Sequence, residues 1–410
     1  MSREQYNWNP VFNIVMNVKD AYNEHFKDGL LNLERWLEKL DIEEFNEFFD
    51  CLQINQDNDL VLIRYGLAEV QNGMWQDEES PYREARSVVI DIRNEEIVIA
   101  PFRKFFNLNE VKENNIDLIR EEIEKAKVFE ITDKMDGSMQ CARYYNHDII
   151  MCGSMALNQD NSWRLKDGYR MLTNNHKEMI TKNQNLTFIF EYISLKDSHV
   201  VCYNKEQEGL YLIGIRDVFT GYEYSYSEIR KMANKFNVPM TKIEKLSLDD
   251  LLVKMKEYKS NEKEGYVINI DGHRIKLKCD DYCDVHRMLD KISSVNVIIK
   301  NIAEDHFDDL ISKVPESYQS RVMGVAEKIF EWKKNTEHEI DKIYLQAPKT
   351  DRKTFMIWVD NNCEKEIRGC VKNKYLGKEY NVLKGNCGNY KKLSDLGIVE
   401  EYSALFVDLE

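Results

Sequence analysis

The sequence predicts an α+β fold in which an N-terminal part built on antiparallel strands is followed by a mostly helical C-terminal part. Short β-branched runs broken by polar turns recur from Leu60 onward. Segments with apolar residues at three- and four-residue spacings lie between them. After about residue 284 the strand-like runs stop. Helical patterns follow up to residue 375, and the sequence then continues mixed and polar to the end.

The predicted elements follow in chain order. Helices are expected over residues 10–53, 112–127, 163–183, 225–260, 284–345 and 351–375. Strands are expected at Leu60–Ile63, Ser87–Ile90, Ile97–Ile99, Val128–Ile131, Ile149–Met151, Thr187–Phe190, Leu210–Ile213 and Tyr266–Ile268. A boundary near residue 290 gives two domains, 1–290 and 291–410.

Composition excludes several classes of protein. A net charge of −15 argues against non-specific coating of nucleic acid, although the lysine-rich stretch 361–394 is either a local basic surface or a solvated helical face. No apolar run approaches the ~18 residues that span a bilayer, and the N-terminus has no secretory pattern. The nine scattered cysteines are expected to be reduced thiols in a cytoplasmic protein.

Lys134 is the candidate nucleophile, because it follows a predicted strand and precedes Asp136-Gly137-Ser138. A lysine attacks phosphorus only when neutral, and deprotonation at pH 7 costs roughly 4–5 kcal/mol. Gly137 allows a close approach of backbone N–H groups to a phosphate, and Asp136 is suited to hold a ribose hydroxyl or to orient a partner. Taken alone, the string also fits an ordinary surface turn.

Four further residues follow in an order that supports this chemistry. Lys276 and Lys278 alternate on a predicted strand, so both ammonium groups face either solvent or an α-phosphate, where they would also lower the pKa of Lys134. Glu264 is an exposed turn acid or a metal ligand. Glu191 follows an apolar run, where a carboxylate needs a bonding partner such as a ribose.

With these residues in this order, the chain resembles the covalent nucleotidyltransferase superfamily of DNA ligases, RNA ligases and capping enzymes. The string Lys104-Phe105-Phe106-Asn107, with Arg86 upstream, looks like the phage T4 RNA ligase 1 family. The rings of Phe105 and Phe106 are interpreted as core packing. The resemblance implies that Arg86 and Lys104 hold the β- and γ-phosphates. It also implies a nucleotide contact at Tyr65 and a functional role for Tyr282. Asp308 is either the metal-binding aspartate that the resemblance implies or an exposed helix acid.

The resemblance extends beyond the catalytic part. Asp351–Phe355 and Asn389–Lys392 look like the family's C-terminal domain, which is helical and helps to select tRNA. One departure lies before Gly153-Ser154, where the family has a lysine and this chain has Cys152.

The resemblance implies an ATP-dependent RNA ligase that uses Mg²⁺ or Mn²⁺ and joins 5′-phosphate and 3′-hydroxyl ends of RNA, notably broken tRNA. The expected protein is a cytoplasmic monomer without a membrane partner. Since no P-loop string is present, a separate kinase–phosphatase is expected to prepare the ends.

Two other functions would use the same nucleotidyltransferase residues or the same fold. A DNA ligase or capping enzyme normally continues into a β-rich OB domain, whereas this sequence turns helical. A non-catalytic RNA-end-binding protein would be expected to have lost the lysine or its carboxylates, and this chain keeps Lys134, Glu191 and Glu264.

Overall fold

The computed structural model describes residues 3–66, 74, 77–197, 200–292, 295–312, 314 and 316–384. The chain divides into two compact units, Met1–Tyr282 and Cys283–Glu410. This division and the boundary predicted near residue 290 both lie in one helix, Asp280–Ile292.

The described residues of the first unit form thirteen strands, with helices before and between them. The strands are β1 (Leu52–Asp57), β2 (Leu60–Tyr65), β3 (Arg86–Asp91), β4 (Glu96–Ile99), β5 (Phe106–Asn107), β6 (Phe129–Lys134), β7 (Ser138–Tyr145), β8 (Asp148–Cys152), β9 (Leu186–Ile193), β10 (Gly209–Asp217), β11 (Ile243–Glu244), β12 (Gly265–Ile270) and β13 (His273–Lys278). The helices are α1 (Pro10–His25), α2 (Leu33–Leu40), α3 (Glu43–Asp50), α4 (Ile116–Lys125), α5 (Trp163–Met171), α6 (Asn174–Lys182), α7 (Tyr226–Phe236) and α8 (Leu248–Lys254).

These strands of the described ranges form three sheets, in the orders β1-β2-β3-β4, β10-β9-β7-β8 and β11-β6-β12-β13-β5. All neighbouring strands run antiparallel except the short pair β13 and β5. One face of the first sheet packs on α1–α3, where Trp36 is fully buried. Its other face meets the second sheet through apolar side chains such as Val89 and Ile189. The second sheet is covered in turn by α5, α6 and α7.

The helices begin where short polar side chains accept hydrogen bonds from the first turn. Asn9 accepts from the N–H of Phe12, and Asn32 accepts from the N–H of Arg35. The helical prediction for residues 10–53 is right for α1–α3 and wrong at its end, because Leu52 begins β1.

The second unit is helical throughout its described residues. It contains α10 (Val295–Ala303), α11 (Phe307–Ile311), α12 (Glu316–Gln346), α13 (Arg352–Asn362) and α14 (Arg368–Tyr375), and α9 (Asp280–Ile292) leads into it. Asp351 caps α13, and the rings of Phe355 and Tyr375 stack with centroids 4.0 Å apart. No strand follows Lys278 anywhere up to residue 384 in the described ranges. The predicted α+β class with a helical C-terminal part is therefore confirmed.

Two further predictions concern cysteines and membranes. The expectation that all nine cysteines are reduced is wrong for Cys370, which is disulfide-bonded, because spacing along a chain does not reveal which side chains the fold brings together. Seven others are reduced thiols: Cys51, Cys141, Cys152, Cys202, Cys279, Cys283 and Cys363. Cys387 and Asn389–Lys392 lie outside the described residues. Among the described helices, none is long and apolar enough to cross a membrane.

Candidate active site

Strand register brings the predicted nucleophile beside its acidic partner. Gly265 pairs with Lys134 on β6 and with Lys278 on β13, so Glu264 lies between the two lysines. The Nζ atom of Lys134 is 2.6 Å from one carboxylate oxygen of Glu264, and that of Lys278 is 3.1 Å from the other. A Cβ at Gly265 would lie 1.9 Å from the backbone oxygen of Leu277, so only glycine fits at this position between the neighbouring strands.

The charge state of Lys134 differs from the sequence-based expectation. Burial alone would lower the pKa of Lys134, but Glu264, followed by Glu191 and Asp136, raises it above its ordinary value. The expectation that the neighbouring lysines lower it is therefore wrong for this arrangement, because the carboxylate of Glu264 lies closer. The protein holds a charged Lys134 that must lose a proton before it attacks phosphorus.

Asp136 is fixed by hydrogen bonds within the protein. Its carboxylate accepts from the N–H of Val201 at 2.9 Å and from the hydroxyl of Tyr282 at 2.8 Å, while its own N–H donates to the hydroxyl of Tyr203. Asp136 is 5% exposed. Of the two roles that the sequence left open, these contacts favour orienting a partner, since they tie the loop after Lys134 to the start of α9.

Gly137 is required by packing against β9. Its N–H donates to an Oε atom of Glu191 at 3.0 Å, and a Cβ there would lie 2.4 Å from the backbone oxygen of Tyr192. The N–H group is therefore already bonded, and Gly137 serves the close approach of loop and strand. Glu191 is half-buried, as expected for a carboxylate with a bonding partner.

Two cations share one aromatic ring at the edge of the site. The guanidinium of Arg86 lies 4.9 Å from the ring centroid of Phe105, and the ammonium of Lys276 lies 4.7 Å from it. Neither side chain is in an ion pair with any described residue, and Nη1 of Arg86 is buried without a hydrogen-bond partner. Burial, followed by the charges of Arg86 and Lys104, lowers the pKa of Lys276 well below its ordinary value. Such a cluster is suited to an anion.

The backbone beside Arg86 is irregular. The β2–β3 register shifts between Ile63 and Arg64, and Ser87 has φ of 68°. Its hydroxyl donates to the carbonyl of Ser154 at 2.6 Å, which holds this conformation. A bulge at this point redirects the side chain of Arg86 from the sheet toward Phe105.

Lys104 and Tyr65 extend the cationic cluster. The Nζ atom of Lys104 donates to the hydroxyl of Tyr65 at 3.2 Å and lies 4.6 Å from the centroid of its ring. Burial alone would raise the pKa of Tyr65, but Lys104 and then Arg86 bring it below its ordinary value. The structure thus brings together Tyr65, Arg86, Lys104 and Lys276 in one cluster, and Lys134, Glu264 and Lys278 in another.

The proposed metal ligands are placed differently from each other. Glu264 is buried between two lysines, and Asp308 is exposed in the first turn of α11 in the second unit. Within the described ranges, no three His, Cys, Asp or Glu side chains are grouped as a metal site. One carboxylate suffices for Mg²⁺ when substrate phosphates and water supply its other ligands. The residues present therefore fit a metal that arrives with a nucleotide.

A cleft of about 530 Å³ borders the site without containing the nucleophile. Lys104 and Phe105 line it, whereas Lys134 does not. Its arginines are held by carboxylates, since Arg274 bonds Glu223 at 2.7 Å, and the same is true of Arg216 with Glu84 and Arg83 with Glu113. We interpret this cleft as part of the packing behind the cationic cluster.

Sequence reasoning missed three contributors to the site. Phe105 was assigned to core packing, yet it carries the two cations. Tyr203 and Asp197 contact the nucleophile loop at Asp136 and Ser138. Neither has a motif of its own, since both come from a segment after β9 whose approach only the fold determines. Cys152, where the family has a lysine, is a buried free thiol. It lies opposite Cys141 in the register of β7 and β8.

Three neighbouring strands of one sheet, β6, β12 and β13, thus bring a lysine, a bridging glutamate and a second lysine to the same end of that sheet. Residues 84–282 match the family model described as RNA ligase. This match confirms the resemblance to the T4 RNA ligase 1 family over that part of the chain.

Of the individual proteins to which the chain is similar, two are named as RNA ligases and one is a serpin. A candidate RNA ligase of Thermovibrio ammonificans is 25% identical over 337 residues, which is 77% of this chain and 81% of that protein. Mouse serpin B5 is 24% identical over 153 residues, or 37% of this chain and 38% of that protein. A Naegleria gruberi RNA ligase variant solved with ATP and Mn has 19% identity and a TM-score of 0.38, covering 46% of this chain and 59% of that one. The chain thus spans about three fifths of that solved ligase's length.

Proposed function

We propose that this protein is an ATP-dependent RNA ligase that joins 5′-phosphate and 3′-hydroxyl ends through lysyl-AMP and RNA-adenylate intermediates. The observation that carries the proposal is the contact of Lys134 with Glu264 and, through it, with Lys278. The match of residues 84–282 to the RNA ligase family supports it.

The chemistry has three steps. Neutral Lys134 forms a bond from Nζ to the α-phosphorus of ATP, and pyrophosphate leaves with the bonding electron pair. An oxygen of the RNA 5′-phosphate then attacks that phosphorus and releases the lysine. Finally, the 3′-hydroxyl oxygen attacks the RNA phosphorus, loses its proton and expels AMP. Lys276 and Lys278 stabilise the negative charge that accumulates at the reacting phosphorus.

The cationic cluster suits the outer phosphates of ATP. Arg86 and Lys276 have no carboxylate to neutralise them among the described residues, and Lys104 lies beside them. An arginine presents a rigid fork of donors to phosphate oxygens, and a lysine adds a point charge. We therefore assign the β- and γ-phosphates to Arg86 and Lys104. Tyr65, which bonds Lys104, is a further nucleotide contact, and Glu191 is assigned to the ribose.

A divalent metal, Mg²⁺ or Mn²⁺, would neutralise the phosphates and polarise the reacting group. In this proposal Glu264 is the candidate metal ligand of the first unit. Asp308 is a separate candidate ligand in the second unit. Such hard cations prefer the carboxylate and phosphate oxygens that this site and its substrate supply.

The substrate is proposed to be broken RNA, notably tRNA cut in its anticodon loop. The C-terminal part, 291–410, is proposed to select this substrate, and a separate kinase–phosphatase to prepare its ends. We further propose that the protein acts as a monomer in the cytoplasm. The helical C-terminal unit disfavours a DNA ligase or capping enzyme, because those enzymes carry a β-rich domain at this place.

The direct test is the intact mass of the protein after incubation with ATP and Mg²⁺ or Mn²⁺. We expect the wild type to gain the mass of one adenylate group and Lys134→Ala to gain none. Lys254→Ala serves as the matched control, because Lys254 is also half-buried and is paired with Glu244 at 3.4 Å. A wild type that gains no adenylate with either metal would contradict the proposal. Sealing of nicked DNA rather than RNA would instead favour a DNA ligase.

A further inference from the structure

One face of α5 is exposed, aromatic and basic. Trp163, Lys166 and Arg170 are three and four residues apart, which places them on the same side of the helix, and all three are exposed. Trp163 leaves 45% of its surface in contact with solvent. We call these three side chains the Trp163 face.

The opposite side of α5 is pressed against the strand that follows the nucleophile loop. Leu165 and Gly168 are buried. A Cβ at Gly168 would lie 1.9 Å from the side-chain oxygen of Gln140 on β7. The amide of Gln140 also donates to the carbonyl of Arg164 at 2.9 Å. The helix therefore has a fixed position relative to β7.

A chain of polar contacts joins this helix to the loop that carries Lys134. The guanidinium of Arg164 lies 4.8 Å from the ring centroid of Trp163 and 2.9 Å from the carboxylate of Asp197. The other oxygen of Asp197 accepts from the hydroxyl of Ser138 at 2.8 Å. Two side chains thus link the exposed indole to the fourth residue after the nucleophile.

The charges of this region leave the face cationic. Asp167 lies between the two basic residues, but its carboxylate accepts from the hydroxyl of Tyr192 at 2.8 Å and pairs with Lys196 at 3.6 Å. Within the described part of the chain, neither Lys166 nor Arg170 is in an ion pair. In a protein of net charge −15, two unneutralised cations beside an exposed indole are a local attraction for a polyanion.

A single exposed tryptophan is ordinary on a protein surface and needs no explanation by itself. Here the indole occurs with two cations at helical spacing and with a fixed connection to the nucleophile loop. Aromatic side chains with basic neighbours bind unpaired bases and their phosphates without strict sequence preference. Duplex RNA offers no exposed base face for such stacking.

We propose that the Trp163 face is the subsite for the single-stranded RNA end that receives the adenylate, with a base stacked on Trp163 and phosphates contacted by Lys166 and Arg170. The assignment rests on the proposed ligase function. It predicts a role in the RNA-dependent steps and none in the reaction of Lys134 with ATP.

The test separates these steps with a short 5′-phosphorylated oligoribonucleotide as the probe. For Trp163→Ala we expect the rate of lysyl-AMP formation to stay within twofold of wild type, while the KM for the oligonucleotide in RNA adenylation rises about tenfold, as expected for loss of one stacked base. Trp163→Phe is expected to restore most of the affinity. Lys166→Ala combined with Arg170→Ala should reduce the salt dependence of RNA binding by about two phosphate contacts.

Tyr222→Ala is the control for loss of an exposed aromatic ring, because Tyr222 is 53% exposed and lies after β10, outside α5. A KM for RNA in Trp163→Ala within twofold of wild type, or an equal rise in Tyr222→Ala, would overturn the assignment. An effect seen only with a nicked duplex, and not with the single strand, would overturn it as well. Absence of lysyl-AMP in the wild type would instead refute the proposed function.

Discussion

Replacing Phe105 by leucine should weaken ATP binding without abolishing the chemistry. The ring lies 4.9 Å from the guanidinium of Arg86 and 4.7 Å from the ammonium of Lys276. A cation over an aromatic face gains about 0.5–2 kcal/mol, depending on how far it is desolvated. Both cations are half-buried, so the two contacts together are worth about 1–2 kcal/mol. Their loss corresponds to a rise of about 5- to 30-fold in the KM for ATP.

The assay is the rate of lysyl-AMP formation as a function of ATP concentration. Leucine retains most of the buried volume, so kcat is expected to change less than about threefold in Phe105→Leu. Phe236→Leu controls for ring loss elsewhere, because Phe236 is buried on α7 and has no part in the cationic cluster. A trifluorophenylalanine at position 105 preserves the shape of the ring but drains its negative face, and should raise the KM in the same direction.

The reasoning would be refuted by a trifluorinated variant with a wild-type KM. It would also be refuted if Phe105→Leu lowered kcat and left the KM unchanged, since the ring would then serve packing alone. Tyrosine at this position should be tolerated, because it keeps the aromatic face.

The remaining predictions concern the nucleophile loop and the ion pairs behind it. Gly137→Ala should reduce lysyl-AMP formation by about 100-fold, because the added methyl group meets the backbone of β9 2.4 Å away and displaces the loop; Gly324→Ala, where nothing lies within 4 Å, should be neutral, and comparable rates for the two variants would contradict this account. Burial alone would raise the pKa of Glu223, but Arg274 holds it below its ordinary value of 4.5. Because the folded pKa is depressed, this stabilisation is complete above about pH 4.5 and is lost as the pH falls through the folded value. The difference in unfolding free energy between wild type and Glu223→Gln, measured in urea, should therefore shrink in acid. A difference that does not depend on pH would refute the stabilising role of the Glu223 carboxylate.

Predicting the strands was easiest where side-chain chemistry alone was sufficient. The runs at Val128–Ile131 and Thr187–Phe190 are β-branched and aromatic, and both became strands. The strand β7 was missed because its sequence, Ser138–Tyr145, has polar and small residues that carry no strand pattern, and its place is fixed by pairing with β8 and β9. β5 and β11 have two residues each and exist only as additions to an existing sheet edge.

The sequence predicts the part of the candidate site that depends on the positions of its motifs along the chain. Lys134, Glu264 and Lys278 are brought together by the register of β12 with β6 and with β13. Strands predicted at these positions in the sequence already favour such antiparallel pairing. The sign of the shift in the pKa of Lys134 was missed, because it depends on whether a carboxylate or an ammonium lies nearest. Glu264 lies 2.6 Å away, and no spacing rule gives that distance.

The contacts of Asp136 and Phe105 indicate that both residues position other parts of the proposed site, a role that the motifs alone do not reveal. Asp136 is bonded to Val201 and Tyr282, so it holds the loop rather than presenting free oxygens to a ligand. The ring of Phe105 contacts two like charges, Arg86 and Lys276, and therefore offsets part of their repulsion. In both places a residue of the proposed site is held in position by a neighbour within the protein. Substitutions of such neighbours should therefore change the KM more than they change the kind of reaction catalysed. Separate measurement of KM and kcat is the informative experiment for this protein.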